Sequence, residues 1–296
     1  MFSGSIPALV TPFRDGALDE AAFRKFVDWQ IDSGSSALVP CGTTGESATL
    51  DNDEHHRVIA LCVEQAAGRV PVIAGAGSND TRTALWHMRV AKDLGADAAL
   101  LVAPYYNRPS QDGLLLHYSH LAENCDLPIV LYNVPGRTGV NLDVQTVVRL
   151  ASIHNIVGVK EASGNVVQMS EILAAVPAEF FLLSGDDPLA VAVMAIGGRG
   201  LISVASNAVP SEMVQAIELA EKGDFAAARR LHGWLLPLLQ VNFCEANPIP
   251  VKAAMAAMGL IEEAYRLPLV PPSPAARDRI MKVLQELKLL GSAARV

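Results

Sequence analysis

Lys160 closes an apolar run in NIVGVKEASGN, residues 155–165. An ammonium at the end of a buried strand loses water at a cost. The residue is therefore either a solvated stop or an amine held in a dry place for use. Partial desolvation favours a neutral, nucleophilic amine. Such an amine attacks a ketone to give a Schiff base. The iminium withdraws electrons, the adjacent carbon loses a proton, and the resulting enamine is a carbon nucleophile made without a metal. Other residues suit that chemistry. CGTTGE (41–46) offers two hydroxyls, Thr43 and Thr44, and backbone N–H groups in a Gly-flanked turn that suits a carboxylate. In YNVPGRTG (132–139), Tyr132 is an acid/base group and Arg137 a planar fork for a carboxylate. Taken singly, GTTGE is an ordinary turn with a helix cap, Tyr132 an interface aromatic and Arg137 a surface ion-pair partner.

These groups act together only if the fold brings them to one place. Apolar runs at 5–10, 36–41, 70–75, 98–103, 128–133, 156–160, 180–185 and 200–205 read as strands buried on both faces of a parallel sheet. Amphipathic patterns alternate with them. Residues 19–34, 51–68 and 80–95 each open on an acidic cap and stop at glycine, and similar patterns follow at 110–125, 143–153, 165–176, 188–197 and 209–222. Eight strand–helix units in this order predict an α/β fold of the (β/α)8 TIM-barrel type over residues 1–223. An open doubly wound sheet would carry a Gly-rich dinucleotide turn after its first strand, where this chain has TPFRDG. Residues 224–296 read as additional C-terminal helices packed on the barrel, the first broken or kinked at Pro237.

In a barrel of this kind the chemistry lies where strands end and βα loops begin. The motifs above, APYYNRPS (103–110), SGDD (184–187) and SVASN (203–207) all fall there. Along the sixth strand Lys160 faces the same way as Gly158, which removes bulk below it.

The 296 residues are 51% hydrophobic with net charge −8, which argues against a nucleic-acid or anionic-membrane partner. MFSGSIPALVTPF has no secretory character, and PLAVAVMAIGG is too short to span a bilayer. The widely spaced Cys41, Cys62, Cys125 and Cys244 fit a reduced, cytoplasmic setting.

GTTGE, YNVPGRTG, GVKEASGN and EANPIPVKAAM, in this order and nearly throughout the chain, resemble the dihydrodipicolinate synthase family of class I pyruvate-dependent lyases and aldolases. The resemblance implies condensation of pyruvate with L-aspartate 4-semialdehyde on the way to diaminopimelate and lysine, in a homotetramer with no cofactor beyond the covalent imine. Carried over, Lys160 forms the imine. Tyr132, Thr43 and Tyr106 form a proton relay, with Tyr106 supplied by a neighbouring subunit. Thr44 holds the pyruvate carboxylate, Arg137 that of the aldehyde, and the backbone of Ile202 lies beside pyruvate. Arg137 and the threonine at 43 favour this branch over a sister aldolase acting on a sugar acid or hydroxy-oxo-acid. Ser47, Ala48, His55, Asn79 and Tyr105 match an allosteric lysine site. Asn52 and Thr83 depart from the usual histidine and glutamate there, so weak or absent lysine inhibition is expected.

Two other classes compete. A metal-dependent aldolase or hydrolase needs clustered ligands. His55 and His56 are adjacent and should point apart, His117 and His120 share a helix face, and all four read as helix-surface residues. Asp186–Asp187 reads as a helix cap before Pro188. A non-catalytic keto-acid or protein binder would not need the lysine, tyrosine, threonine and arginine together. Cys41 has no histidine placed to activate it and reads as a small core residue.

Overall fold

The β-branched and aliphatic runs pair side by side as parallel strands, because the longer segments between them cover their faces as helices. A computed structural model of the chain describes residues 2–290; Met1 of the expected barrel span and 291–296 of the expected helical region lie outside the described residues. Around the sheet the strands run Gly4–Pro7, Gly200–Ser203, Phe181–Ser184, Ile156–Glu161, Ile129–Asn133, Ala98–Val102 and Ile73–Gly75. Leu38 and Val39 close the ring through parallel bridges Leu38↔Val72 and Ala8↔Val39. The result is a (β/α)8 barrel with C-terminal helices.

The run 36–41, expected as a full strand, contributes only those two bridging residues. Pro40 has no N–H to give a ladder, and Cys41 turns the chain out of the sheet at φ 55°. Pro237 neither ends nor splits its helix, which runs unbroken over Phe225–Val241. Leu235, Leu238 and Leu239 are buried on either side of the proline, and that apolar burial offsets the backbone bond it cannot donate.

Helix starts follow local chemistry. Asp51 caps Asn52–Ala66 in a reciprocal box with Glu54, and Asp80 caps Thr81–Asp93 by accepting from the Thr83 N–H. Two apolar cores result. Ile6, Ile73, Leu100, Val130, Phe181 and Ile202 fill the barrel, and a larger core lies between strands and helices. Among the described residues, no helix is long and apolar enough to cross a membrane.

Candidate active site

Lys160 and Tyr132 are register partners on adjacent strands. Both are 6% exposed, and the lysine Nζ lies 4.1 Å from the centroid of the tyrosine ring. The ring face attracts a cation and shields the amine from water. The space freed by Gly158 belongs to another residue. A Cβ there would meet the Phe181 ring at 2.3 Å, so Phe181, not a void, forms the floor beneath the lysine. The lysine stem instead needs Gly185, where a Cβ would lie 3.0 Å from Lys160 Cε and 2.7 Å from Ala162 Cβ. Glu161, next in sequence, is fully buried and accepts from Asn133 Nδ2 at 2.9 Å, the Ser163 N–H at 2.6 Å and Gln168 Nε2 at 3.1 Å. These neutral donors satisfy its carboxylate on the outer face of the strand.

The GTTGE turn is pinned from both sides. Two of its N–H groups are used internally, Gly45 to the Gly42 carbonyl and Glu46 to that of Thr43, and the next N–H, that of Ser47, also reaches the Gly42 carbonyl. Thr11 Oγ1 donates to the Gly45 carbonyl at 2.7 Å. Glu46, at φ 55°, aims its side chain inward to Lys252, 2.5 Å away, and both side chains are fully buried. Lys252 also donates to the Thr11 carbonyl at 3.0 Å and sits 4.5 Å from the Phe13 ring centroid. Burial pushes the Lys252 amine down in pKa, and Glu46 opposes the shift. Asn247 Nδ2 donates to Thr44 Oγ1 at 2.9 Å, and Arg137 donates from a terminal nitrogen to the Asn247 carbonyl at 3.3 Å. The C-terminal segment therefore orients both the turn and the arginine. Asn247 and Lys252 lie in the EANPIPVKAAM motif but were not singled out from sequence; their partners lie some two hundred residues earlier.

A cavity of about 370 Å³ collects Lys160, Tyr132, Thr43, Thr44, Arg137 and Asn247. Tyr106 is not among its lining residues; it is 89% exposed at φ 73°. Ile202 is 1% exposed within the barrel core, beneath the cavity rather than lining it. A second cavity of about 500 Å³ takes in Ser47, Ala48, His55 and Tyr105, and shares Thr43, Arg137 and Asn247 with the first. Asn79 stays outside its lining and donates to the Tyr105 carbonyl at 3.2 Å.

Three readings of single residues need correction. His55 and His117 are buried rather than on the helix surface. His55 and His56 leave their helix in different directions, yet their rings are not kept apart: their centroids are 5.7 Å from each other and both pack near His87. Asp187 does not cap its own helix; its carboxylate accepts from Ser203 Oγ at 2.5 Å and from the N–H groups of Val204 and Ala205 at 3.0 and 3.1 Å. Burial raises the Asp187 carboxyl, while these donors and the Lys160 charge work the other way. Cys41 is a buried core thiol raised well above its usual range by desolvation, and its Sγ reaches the His55 carbonyl at 3.4 Å.

A parallel barrel with a shielded amine, hydroxyls and a guanidinium around one rim cavity defines the class of lysine-bearing barrel enzymes. Residues 1–287 match the model of the dihydrodipicolinate synthetase family. The 4-hydroxy-tetrahydrodipicolinate synthase of Novosphingobium aromaticivorans is 55% identical over 293 residues, covering 98% of this chain and 99% of its own. The crystal structure of dihydrodipicolinate synthase from Aquifex aeolicus superposes with a TM-score of 0.96 at 45% identity, covering 98% of this chain and 100% of its own. The chloride-inhibited dihydrodipicolinate synthase from Acinetobacter baumannii, complexed with pyruvate, gives the same score, identity and coverage. The chain belongs to the dihydrodipicolinate synthetase family.

Proposed function

We propose that this protein is a carbon–oxygen lyase that condenses pyruvate with L-aspartate 4-semialdehyde to 4-hydroxy-tetrahydrodipicolinate, a step of diaminopimelate and lysine biosynthesis. The observation that carries this reading is the shielded Lys160 amine, 4.1 Å from the Tyr132 ring centroid, in a cavity with Thr43, Thr44 and Arg137.

Lys160 Nζ attacks the pyruvate ketone. The carbinolamine loses its hydroxyl, with a proton, as water and leaves an iminium. In the steps that follow the iminium, Tyr132, relayed through Thr43, delivers and removes the protons. Loss of a methyl proton gives the enamine, whose carbon attacks the aldehyde, and the aldehyde oxygen takes a proton. The amine of the aldehyde substrate then displaces Lys160 from the imine carbon, closing the ring and restoring the free lysine. Thr44, oriented by Asn247, meets the pyruvate carboxylate together with the N–H groups of the GTTGE turn that are not used within it. Arg137, held at Asn247, takes the carboxylate of the aldehyde. No metal enters any step.

The exposure of Tyr106 supports the reading that it completes the relay of a second copy in a homotetramer. The buried free thiols Cys41, Cys62 and Cys125 suit the reducing cytoplasm. The Thr83 hydroxyl, bonded to Asp80 at 2.8 Å, offers no carboxylate to an ammonium, so lysine inhibits weakly or not at all.

The test is a coupled assay with both substrates, dihydrodipicolinate reductase and NADPH. Turnover lost in Lys160→Ala supports the reading. No turnover with the wild type, together with a borohydride-trapped pyruvate adduct on Lys160, would assign a sister aldolase instead.

A further inference from the structure

Two helices meet beside the second cavity and bring three imidazoles together. His55 and His56 belong to Asn52–Ala66, and His87 to Thr81–Asp93. Consecutive residues on a helix diverge by about 100°, and His87 enters the notch between them. Its ring centroid is 4.6 Å from that of His55 and 5.4 Å from that of His56. One nitrogen from each ring lies within 4.8 Å of the others. His56 Nε2 and His87 Nδ1 are already 3.3 Å apart. That separation is the edge of a tetrahedron whose centre lies about 2.0–2.1 Å from each nitrogen, the usual zinc–imidazole distance.

His55 supplies a second, independent observation. It is 6% exposed, yet its Nδ1 has no hydrogen-bond partner among the described residues. A buried nitrogen without a partner forfeits its hydration for nothing. The cavity of about 500 Å³ opens onto His55 and His87 and leaves room for a fourth ligand.

We propose that His55, His56 and His87 form a three-imidazole site for a first-row divalent metal, Zn²⁺ foremost, with its fourth position open to the cavity that Ser47 and Thr83 also line. Imidazole donors without a carboxylate suit zinc over magnesium or calcium. The site stands apart from Lys160 and does not depend on the reaction proposed above. It joins two helices next to a cavity that shares Thr43 and Arg137 with the reactive amine.

The test uses untagged, chelator-treated protein, equilibrium dialysis against Zn²⁺ and titration with Co²⁺ as a visible-absorption probe. The expected result is a single Zn²⁺ per chain and the intense visible bands of tetrahedral Co²⁺. His87→Ala and His56→Ala, each checked for folding by circular dichroism, should weaken binding by at least about 100-fold, beyond what loss of an outer-shell partner does. Lys160→Ala should bind Zn²⁺ as the wild type does, so this result and the assay above succeed or fail separately. Wild-type binding no tighter than that of the two histidine variants, or a weak six-coordinate Co²⁺ spectrum, overturns the proposal.

Discussion

Lys160 and Tyr132 face each other across neighbouring strands, with the amine 4.1 Å from the ring centroid. The ring packs and shields, whereas the hydroxyl carries protons, and the two roles can be separated. Tyr132→Phe keeps the ring. It should preserve covalent trapping of pyruvate and lower turnover by about 10²–10⁴-fold, the usual worth of a positioned acid/base. Steady-state rates compared with adduct yield by mass spectrometry check this; equal loss of both would assign the hydroxyl to imine formation itself.

Gly185 leaves room for the lysine stem. Gly185→Ala places a methyl 3.0 Å from Lys160 Cε and 2.7 Å from Ala162 Cβ. The amine must shift, and a displacement of about 1 Å at a reacting group lowers rates by on the order of 10²-fold. The fold should survive with a loss of about 1–3 kcal/mol from overpacking. Denaturant melts beside kcat measurements separate the two effects.

The Glu46–Lys252 pair is buried on both sides and ties the GTTGE turn to the helix Ile249–Ala257. Removing one partner strands the other charge. Glu46→Leu or Lys252→Met alone should lower stability by about 3–5 kcal/mol, and Glu46→Leu with Lys252→Met should recover most of that loss. Urea unfolding of the three variants and the wild type closes the cycle. Additive losses in the double variant would mean that the pair is not coupled.

His117 is 7% exposed, bonded through Nδ1 to Thr81 Oγ1 at 2.9 Å, and lowered by burial to a pKa of about 4. Unfolded, it titrates near 6.5. Between those values the unfolded chain binds more protons than the folded one, so stability falls as pH drops from 6.5 toward 4. His117→Gln should flatten that part of the stability–pH curve without moving the curve above pH 7. An unchanged slope between pH 6.5 and 4 would contradict it.

Much of this was legible from local pattern. Their positions at the ends of neighbouring strands placed Lys160 and Tyr132 on one rim, and acidic caps with terminal glycines marked the helices. Other features were hidden by distance along the chain. Lys252 meets Glu46 across 206 residues, and no periodicity announces such a pair. Asn247 reaches Thr44 over a comparable gap. Gly158 read correctly as missing bulk, but the ring that fills the space comes from the next strand. On their own helix His55 and His56 read as two separate surface residues, whereas His87 on the neighbouring helix gathers their rings. Tyr106 is exposed on its own chain, so its place in a relay depends on a surface that one chain does not contain.

In the proposed reaction Lys160 is the amine that captures pyruvate. Incubation with pyruvate and borohydride, followed by intact-mass measurement and peptide mapping, tests it most directly. One reduced pyruvate per chain, mapped to Lys160 and absent in Lys160→Ala, is expected. An adduct on another lysine, or turnover with no adduct at all, would contradict it.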